Sequence, residues 1–410
     1  MKLTLESVTF DHDQTSASAD ALTIRRNAGI PVCPPEWVHG VTADEYGASV
    51  AAYARDRVAG NTITIKAVIR SDESADPQSV EIPPTIRIRT LDAMPLAGCL
   101  PGLFARLRGS PPPPAPPGVL GVVPPTDTLI GHLHSHEQTL PLTGSRIAEV
   151  GIGRHDIAWF WQYQVQGETT WTTFASTKHR IYTVLDTPTA PWGQPPNHVP
   201  PLSLPWIDAL DVVCSWASGA QTADEAAAII TERIFNAGPA VFGYDCDGGS
   251  AYYSYDDLDL TAALERIRGG PGNGGRVNCS DCASLVSTLA DLIGHDLGQQ
   301  QFSWGLGNGV LRLIGDTAGW SSCVGPFGWH EVAWHGTGVG SDLIWDACAA
   351  LDGDPDPANP PHSALIPRRI PHSAPWVGSY VWRAATPRTE AEAAPDFQPY
   401  GTPPIRRAVF

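Results

Sequence analysis

Apolar and polar residues alternate through much of the first half of the chain. Period-2 or β-branched patterns at residues 2–10, 21–26, 62–70, 80–89 and 157–165 predict strands, each bounded by turn residues. TIRIRT at 85–90 is a clean alternation with one polar face. The block from 157 to 185 reads as two or three consecutive strands. Strands at this spacing, with almost no helical periodicity, predict one or two antiparallel sandwich-like modules over residues 1–190. Within them SPPPPAPP at 110–117 forms an extended, polyproline-like exposed insert.

The pattern then changes. Seven prolines between positions 186 and 205 cannot sustain a helix or a central strand, so 191–205 reads as a linker. Beyond it, helical spacing predicts helices over 206–216 and from Thr222, with Glu225 completing a capping box, to about Phe235. A third spans 279–293, with Cys282, Leu285, Val286, Leu289 and Ile293 on one stripe and Gly294 as its stop. Strands are predicted at 301–314, 329–334 and 342–348. Helices followed by antiparallel strands define an α+β domain over 206–375, and residues 376–410 read as an irregular, Pro-rich tail.

Composition narrows the function classes. A net charge of −17 repels phosphate backbones and anionic headgroups, which argues against nucleic-acid and membrane-surface roles. Neither a transmembrane stretch nor a signal-peptide h-region is visible, so the expectation is a cytoplasmic protein, or one exported without a cleaved signal. Eight cysteines in 410 residues fall far short of a disulfide scaffold, and a clustered cysteine becomes a candidate for chemistry.

VNCSDCASLVSTLADLIG places Cys279 in the first turn of a helix, just after the run GGPGNGG at 269–275. Free N–H groups and the positive helix end favour a thiolate there. Downstream, GWHEVAW supplies His330 and LIWDAC supplies Asp346, with Asp342 on the same strand face. A thiolate attacking acyl carbon needs an imidazole to share its proton and a carboxylate to fix the imidazole's tautomer.

CSDCA at 279–283 resembles the C-x-D-x-A signature that opens the catalytic helix of bacterial transglutaminase-like proteins, and the order Cys-helix, His-strand, Asp-strand is also theirs. The resemblance implies a papain-like cysteine fold over roughly 205–375. It selects Asp346 over Asp342 and makes Asp281 and Ala283 structural positions. Its members include transglutaminases, peptidases and amidases as well as inactive relatives. The implied function is cysteine-dependent acyl transfer or hydrolysis on protein or peptide amides through a thioester, with no cofactor. The alternative is a non-catalytic interaction module whose β-region does the binding.

An oxyanion hole needs a donor besides the Cys279 N–H, and Tyr252, Tyr253 and Trp304 are the candidates, as oxyanion or groove residues. Cys279 and Cys282 also spell C-x-x-C, yet no second such pair completes a zinc site. His132, His134 and His136 fit a solvated strand face. Asp352, Asp354 and Asp356 in DGDPDP begin like a calcium loop, but Pro357 stands where glycine is needed, so they read as a surface turn. No metal site is expected.

Overall fold

The computed structural model describes residues 2–10, 21–25, 35–41, 49–71, 85–92, 118–130, 135–195, 197, 203–238, 240–245, 249–302 and 328–410. The chain divides into two compact units, Met1–Asp186 and Thr187–Phe410. Helices and largely antiparallel sheets are both present, so the fold is α+β.

The first unit holds strands β1 (Leu3–Thr9), β2 (Trp37–Val38), β3 (Ser49–Ala54), β4 (Thr64–Ser71), β5 (Thr85–Asp92), β6 (Thr126–Leu129), β7 (Ser135–Pro141), β8 (Gly153–Val165) and β9 (Thr172–Val184), together with the short helix α1 (Arg55–Val58) and a 3-10 turn at Ile147–Glu149. They build a four-stranded sheet, β2-β1-β4-β7, and a five-stranded sheet, β3-β9-β8-β5-β6. Alternate residues of β4, β5 and β8 are buried, as the period-2 pattern requires. Leu5, Ile65 and Ile69 of one sheet share a core with Ile86, Ile88, Trp159, Trp161 and Ile181 of the other, which makes the unit a sandwich.

Among the described residues of the first unit, one strand pairing is parallel, β3 with β9. Side-chain alternation encodes which face is buried and carries no strand direction, so this pairing has no sequence signature. The segment predicted as a strand at 21–26 forms none among its described residues. The insert at 110–117, and His132 and His134, lie outside the described residues.

The second unit begins with α2 (Ile207–Trp216), α3 (Ala223–Phe235), β10 (Gly243–Tyr244), α4 (Leu260–Ile267), β11 (Arg276–Val277) and α5 (Cys279–Leu292). It continues through β12 (Gly298–Phe302), β13 (His330–His335), β14 (Leu343–Trp345), β15 (Leu351–Asp352), β16 (Ala364–Leu365), β17 (Arg368–Pro371), α6 (Tyr380–Ala385), α7 (Glu390–Ala393) and β18 (Pro399–Ile405). Five strands form an antiparallel sheet in the order β17-β14-β13-β12-β18. α5 packs on β13, β12 and α3 and is buried along its whole length.

Complete burial of α5 obliges its polar side chains to bond internally. Ser287 Oγ donates to the Ala283 carbonyl, and Leu297 N donates to Asp291 Oδ1. At the start of α3, Thr222 Oγ1 accepts from Glu225 N, but Glu225 Oε2 reaches one residue further back than a capping box and accepts from Gln221 N.

The C-terminal stretch is ordered, which corrects the irregular tail expected over 376–410. α6 packs Tyr380, Val381, Ala384 and Ala385 into the core beside Phe302 and Trp334. β18 pairs with β12 at the sheet edge. An edge strand tolerates proline because one side of its ladder needs no N–H donor, so Pro399, Pro403 and Pro404 conceal the strand without preventing it. Among the described residues no helix is long and apolar enough to cross a membrane.

Candidate active site

Cys279 is the first residue of α5 and is 3% exposed. The helix opens on a reciprocal capping box: Asn278 Oδ1 accepts from Asp281 N at 3.0 Å, and Asp281 Oδ2 accepts from Asn278 N at 2.9 Å. Asp281 also accepts from the backbone of Tyr252, Tyr253 and Ser254 at 3.0, 2.9 and 2.8 Å, and from Ser254 Oγ at 2.9 Å. One buried carboxylate thus pins the 252–254 loop across the helix end that carries the cysteine. That is the structural position implied for Asp281.

His330 enters from β13, opposite Phe302 in the β12 register, with its ring stacked on the Phe302 ring at 6.2 Å. Its Nε2 donates to Asp346 Oδ2 at 2.8 Å. Cys279 is the other group that acts on the ring, and its charge favours the protonated imidazole. Burial lowers the imidazole pKa, but the Asp346 carboxylate and the Cys279 sulfur outweigh it and raise the value to about 10.

Asp346 follows β14 and is 1% exposed. Besides His330, its Oδ2 accepts from the Tyr380 hydroxyl at 2.7 Å, and its Oδ1 accepts from Cys348 N at 2.7 Å and Ala349 N at 3.2 Å. Burial pushes its pKa up, yet the charge of His330 and these donors bring it below the usual carboxylate value. Asp342, on the same strand face by sequence, turns elsewhere. Its Oδ2 accepts from Trp334 Nε1 and from the backbone of Thr337, Gly338 and Val339, holding a tight turn.

The tyrosine that senses the charge of Cys279 is Tyr244. Burial, followed by the charges of Cys279 and Cys348, raises the Tyr244 hydroxyl well above its ordinary pKa. The Tyr252 hydroxyl donates to Asp245 Oδ2 at 2.9 Å and the Tyr253 hydroxyl to the Gly274 carbonyl at 2.5 Å, while both backbone N–H groups are taken by Asp281. Trp304 lies outside the described residues.

Cys282 is fully buried one turn along α5; it and Cys348 are free thiols, and burial raises both pKa values. Cys246 and Cys323 lie outside the described residues. His335 is exposed, as strand alternation predicts.

A second layer lies beneath the first. Ser280 Oγ donates to Glu331 Oε2 at 2.6 Å, as does Gln301 Nε2 at 3.0 Å. Arg407 holds both Glu331 oxygens, and its Nε donates to the Tyr255 carbonyl at 3.0 Å. Burial raises the Glu331 pKa, but Arg407 and the hydroxyl and amide donors bring it below the ordinary value.

Four residues here have no local motif: Tyr244, Tyr380, Glu331 and Arg407. Only the position of Glu331 next to His330 could have drawn notice.

No family model matches the chain, and no curated protein sequence matches it. Among solved structures it is similar to the crystal structure of red sea bream transglutaminase, with a TM-score of 0.35 and 10% identity over 84% of this chain. The match covers 53% of that structure, so this chain spans about half its length. The likeness is weak at that score.

Proposed function

We propose that the second unit is a cysteine-dependent enzyme that cleaves or transfers acyl groups of protein or peptide amides through a thioester. The observation that carries this reading is the His330 imidazole, bonded through Nε2 to a buried, four-donor Asp346, together with Cys279 at a helix start, whose charge helps to raise the imidazole pKa. Buried, unrelated Cys, His and Asp residues have no reason to share one ring in this order.

In the proposed reaction the Cys279 sulfur attacks the amide carbonyl and forms the C–S bond. The oxyanion that develops takes hydrogen bonds from the Cys279 N–H and the Tyr244 hydroxyl. His330 delivers its proton to the leaving nitrogen as the C–N bond breaks. It then accepts a proton from an attacking water or amine as the new C–O or C–N bond forms, and the C–S bond breaks to release Cys279 as the thiolate, giving hydrolysis or transfer. Asp346 holds the ring's orientation and stabilises its charged form. Tyr380 and the two backbone donors keep Asp346 from rotating.

The test is iodoacetamide labelling across pH, mapped by mass spectrometry on wild type and His330→Ala. Preferential labelling of Cys279 near neutral pH, lost in the variant, supports an activated pair. Slow labelling that the substitution leaves unchanged sinks the reading and favours a non-catalytic interaction module.

A further inference from the structure

Away from Cys279, the carboxylates of Asp352 and Asp354 and the imidazole of His362 bring three ligand atoms within 4.8 Å of one another, the one such group among the described residues. Asp352 ends β15, and His362 stands just before β16, which pairs with it. The expected surface turn is therefore corrected in part: Asp352 is 0% exposed.

The two carboxylates are held in the same way. Asp352 Oδ1 accepts from the backbone of Asp354 at 3.2 Å and Ser363 at 3.3 Å, and Asp354 Oδ1 accepts from Asp356 N at 2.8 Å. Each Oδ2 is thereby turned toward a common point, where no backbone donor reaches it and where Asp352 Oδ2 meets His362 as an ion pair. His362 Nδ1 faces both, 2.5 Å from Asp352 Oδ2 and 3.9 Å from Asp354 Oδ2. Two carboxylate oxygens aimed at one point repel, and a fully buried carboxylate is costly without a cation before it.

We propose that Asp352, Asp354 and His362 bind a divalent transition-metal ion of the zinc class. An imidazole nitrogen with two carboxylate oxygens suits zinc or cobalt, whereas calcium and magnesium prefer shells made of oxygen alone. Tetrahedral bonds of about 2.0–2.2 Å set neighbouring ligand atoms roughly 3.3–3.6 Å apart, between the two separations found here. A small swing of His362 evens them, and water completes the shell.

The ion would also stiffen the support of Asp346. Arg383 of α6 donates to the carbonyls of Asp352 at 2.5 Å and Asp354 at 3.3 Å, and the same helix carries Tyr380. The binding loop and the Tyr380 helix are thus tied together.

The experiment uses the full chain dialysed separately against Zn²⁺, Co²⁺ and Ca²⁺, with bound metal counted by mass spectrometry and the cobalt form read by absorption. Expected are one Zn²⁺ or Co²⁺ per chain, visible cobalt bands without sulfur-to-cobalt charge transfer, and a rise in Tm on binding. Asp354→Asn and His362→Gln, both at partly exposed positions, lower affinity at least about tenfold. Cys282→Ser leaves binding unchanged. The proposal is overturned by absent or substoichiometric binding, by equal affinity in both variants, by preference for Ca²⁺, or by a sulfur charge-transfer band that Cys282→Ser removes.

Discussion

Ser280 Oγ donates to Glu331 Oε2 at 2.6 Å, so the residues that immediately follow Cys279 and His330 are bonded to each other. The separation of α5 from β13 at the site is therefore set by a side-chain bond one residue deeper than the sulfur and the imidazole. Arg407 supplies the charge that lets Glu331 remain ionised there.

Removing that charge leaves a carboxylate buried alone. Arg407→Ala should destabilise the second unit by about 3–5 kcal/mol, read by urea denaturation. Because Glu331 has a lowered folded pKa, its contribution is present above its ordinary value of 4.5 and is lost as pH falls below it. The deficit of the variant should thus shrink in acid, and a deficit constant with pH counts against this account.

The His330–Asp346 pair has a different pH window. His330 has a folded pKa of about 10 against an ordinary 6.5, so its stabilisation is complete below 6.5 and fades as pH rises toward 10. Asp346 has a lowered folded pKa, so its share is present above 3.8 and fades as pH falls. Thermal melts of wild type and Asp346→Asn should differ most between about pH 4 and 6.5 and converge toward pH 10.

Tyr244 and Tyr380 both lose only a hydroxyl on substitution by phenylalanine, with distinct expected results. Tyr244→Phe should lower kcat about a hundredfold with little change in KM if its hydroxyl serves the oxyanion. Tyr380→Phe removes a bond to a charged group and should cost about 1.5–3 kcal/mol of stability. Steady-state kinetics beside urea denaturation separate the two.

Gly272, in the run ahead of Cys279, has φ +48°. A Cβ there would lie 2.5 Å from the Ala262 carbonyl oxygen and 3.0 Å from the Tyr253 hydroxyl. Gly272→Ala should destabilise by roughly 1–2 kcal/mol from backbone strain alone, with more from the contacts. Equal stability of variant and wild type by urea denaturation would contradict the turn.

The α5 helix was legible because its stripe and stop are local: Cys282, Leu285, Val286, Leu289 and Ile293 line one side, and Gly294, at φ +92°, follows its end. Cys279 and His330 were legible as residues on a periodic helix and strand, whereas alternation left Asp342 and Asp346 equivalent and only the resemblance chose between them. Tyr380 and Arg407 were not, since both fall in a Pro-rich stretch whose local pattern is that of a loop. Their roles come from contacts with Asp346 and Glu331, 34 and 76 residues away along the chain. The direction of β3 against β9 was hidden for a related reason: pairing partners are chosen by the whole sheet.

The position of Arg407 also fixes the order in which the site can be completed. During synthesis Cys279, His330 and Asp346 all emerge before the cation that neutralises Glu331. A chain cut anywhere between Asp346 and Arg407 carries the reactive thiol and its partners but has an uncompensated buried charge beneath them. Premature termination in that interval therefore leaves the thiol and imidazole above a Glu331 that has lost its cation, on a less stable second unit.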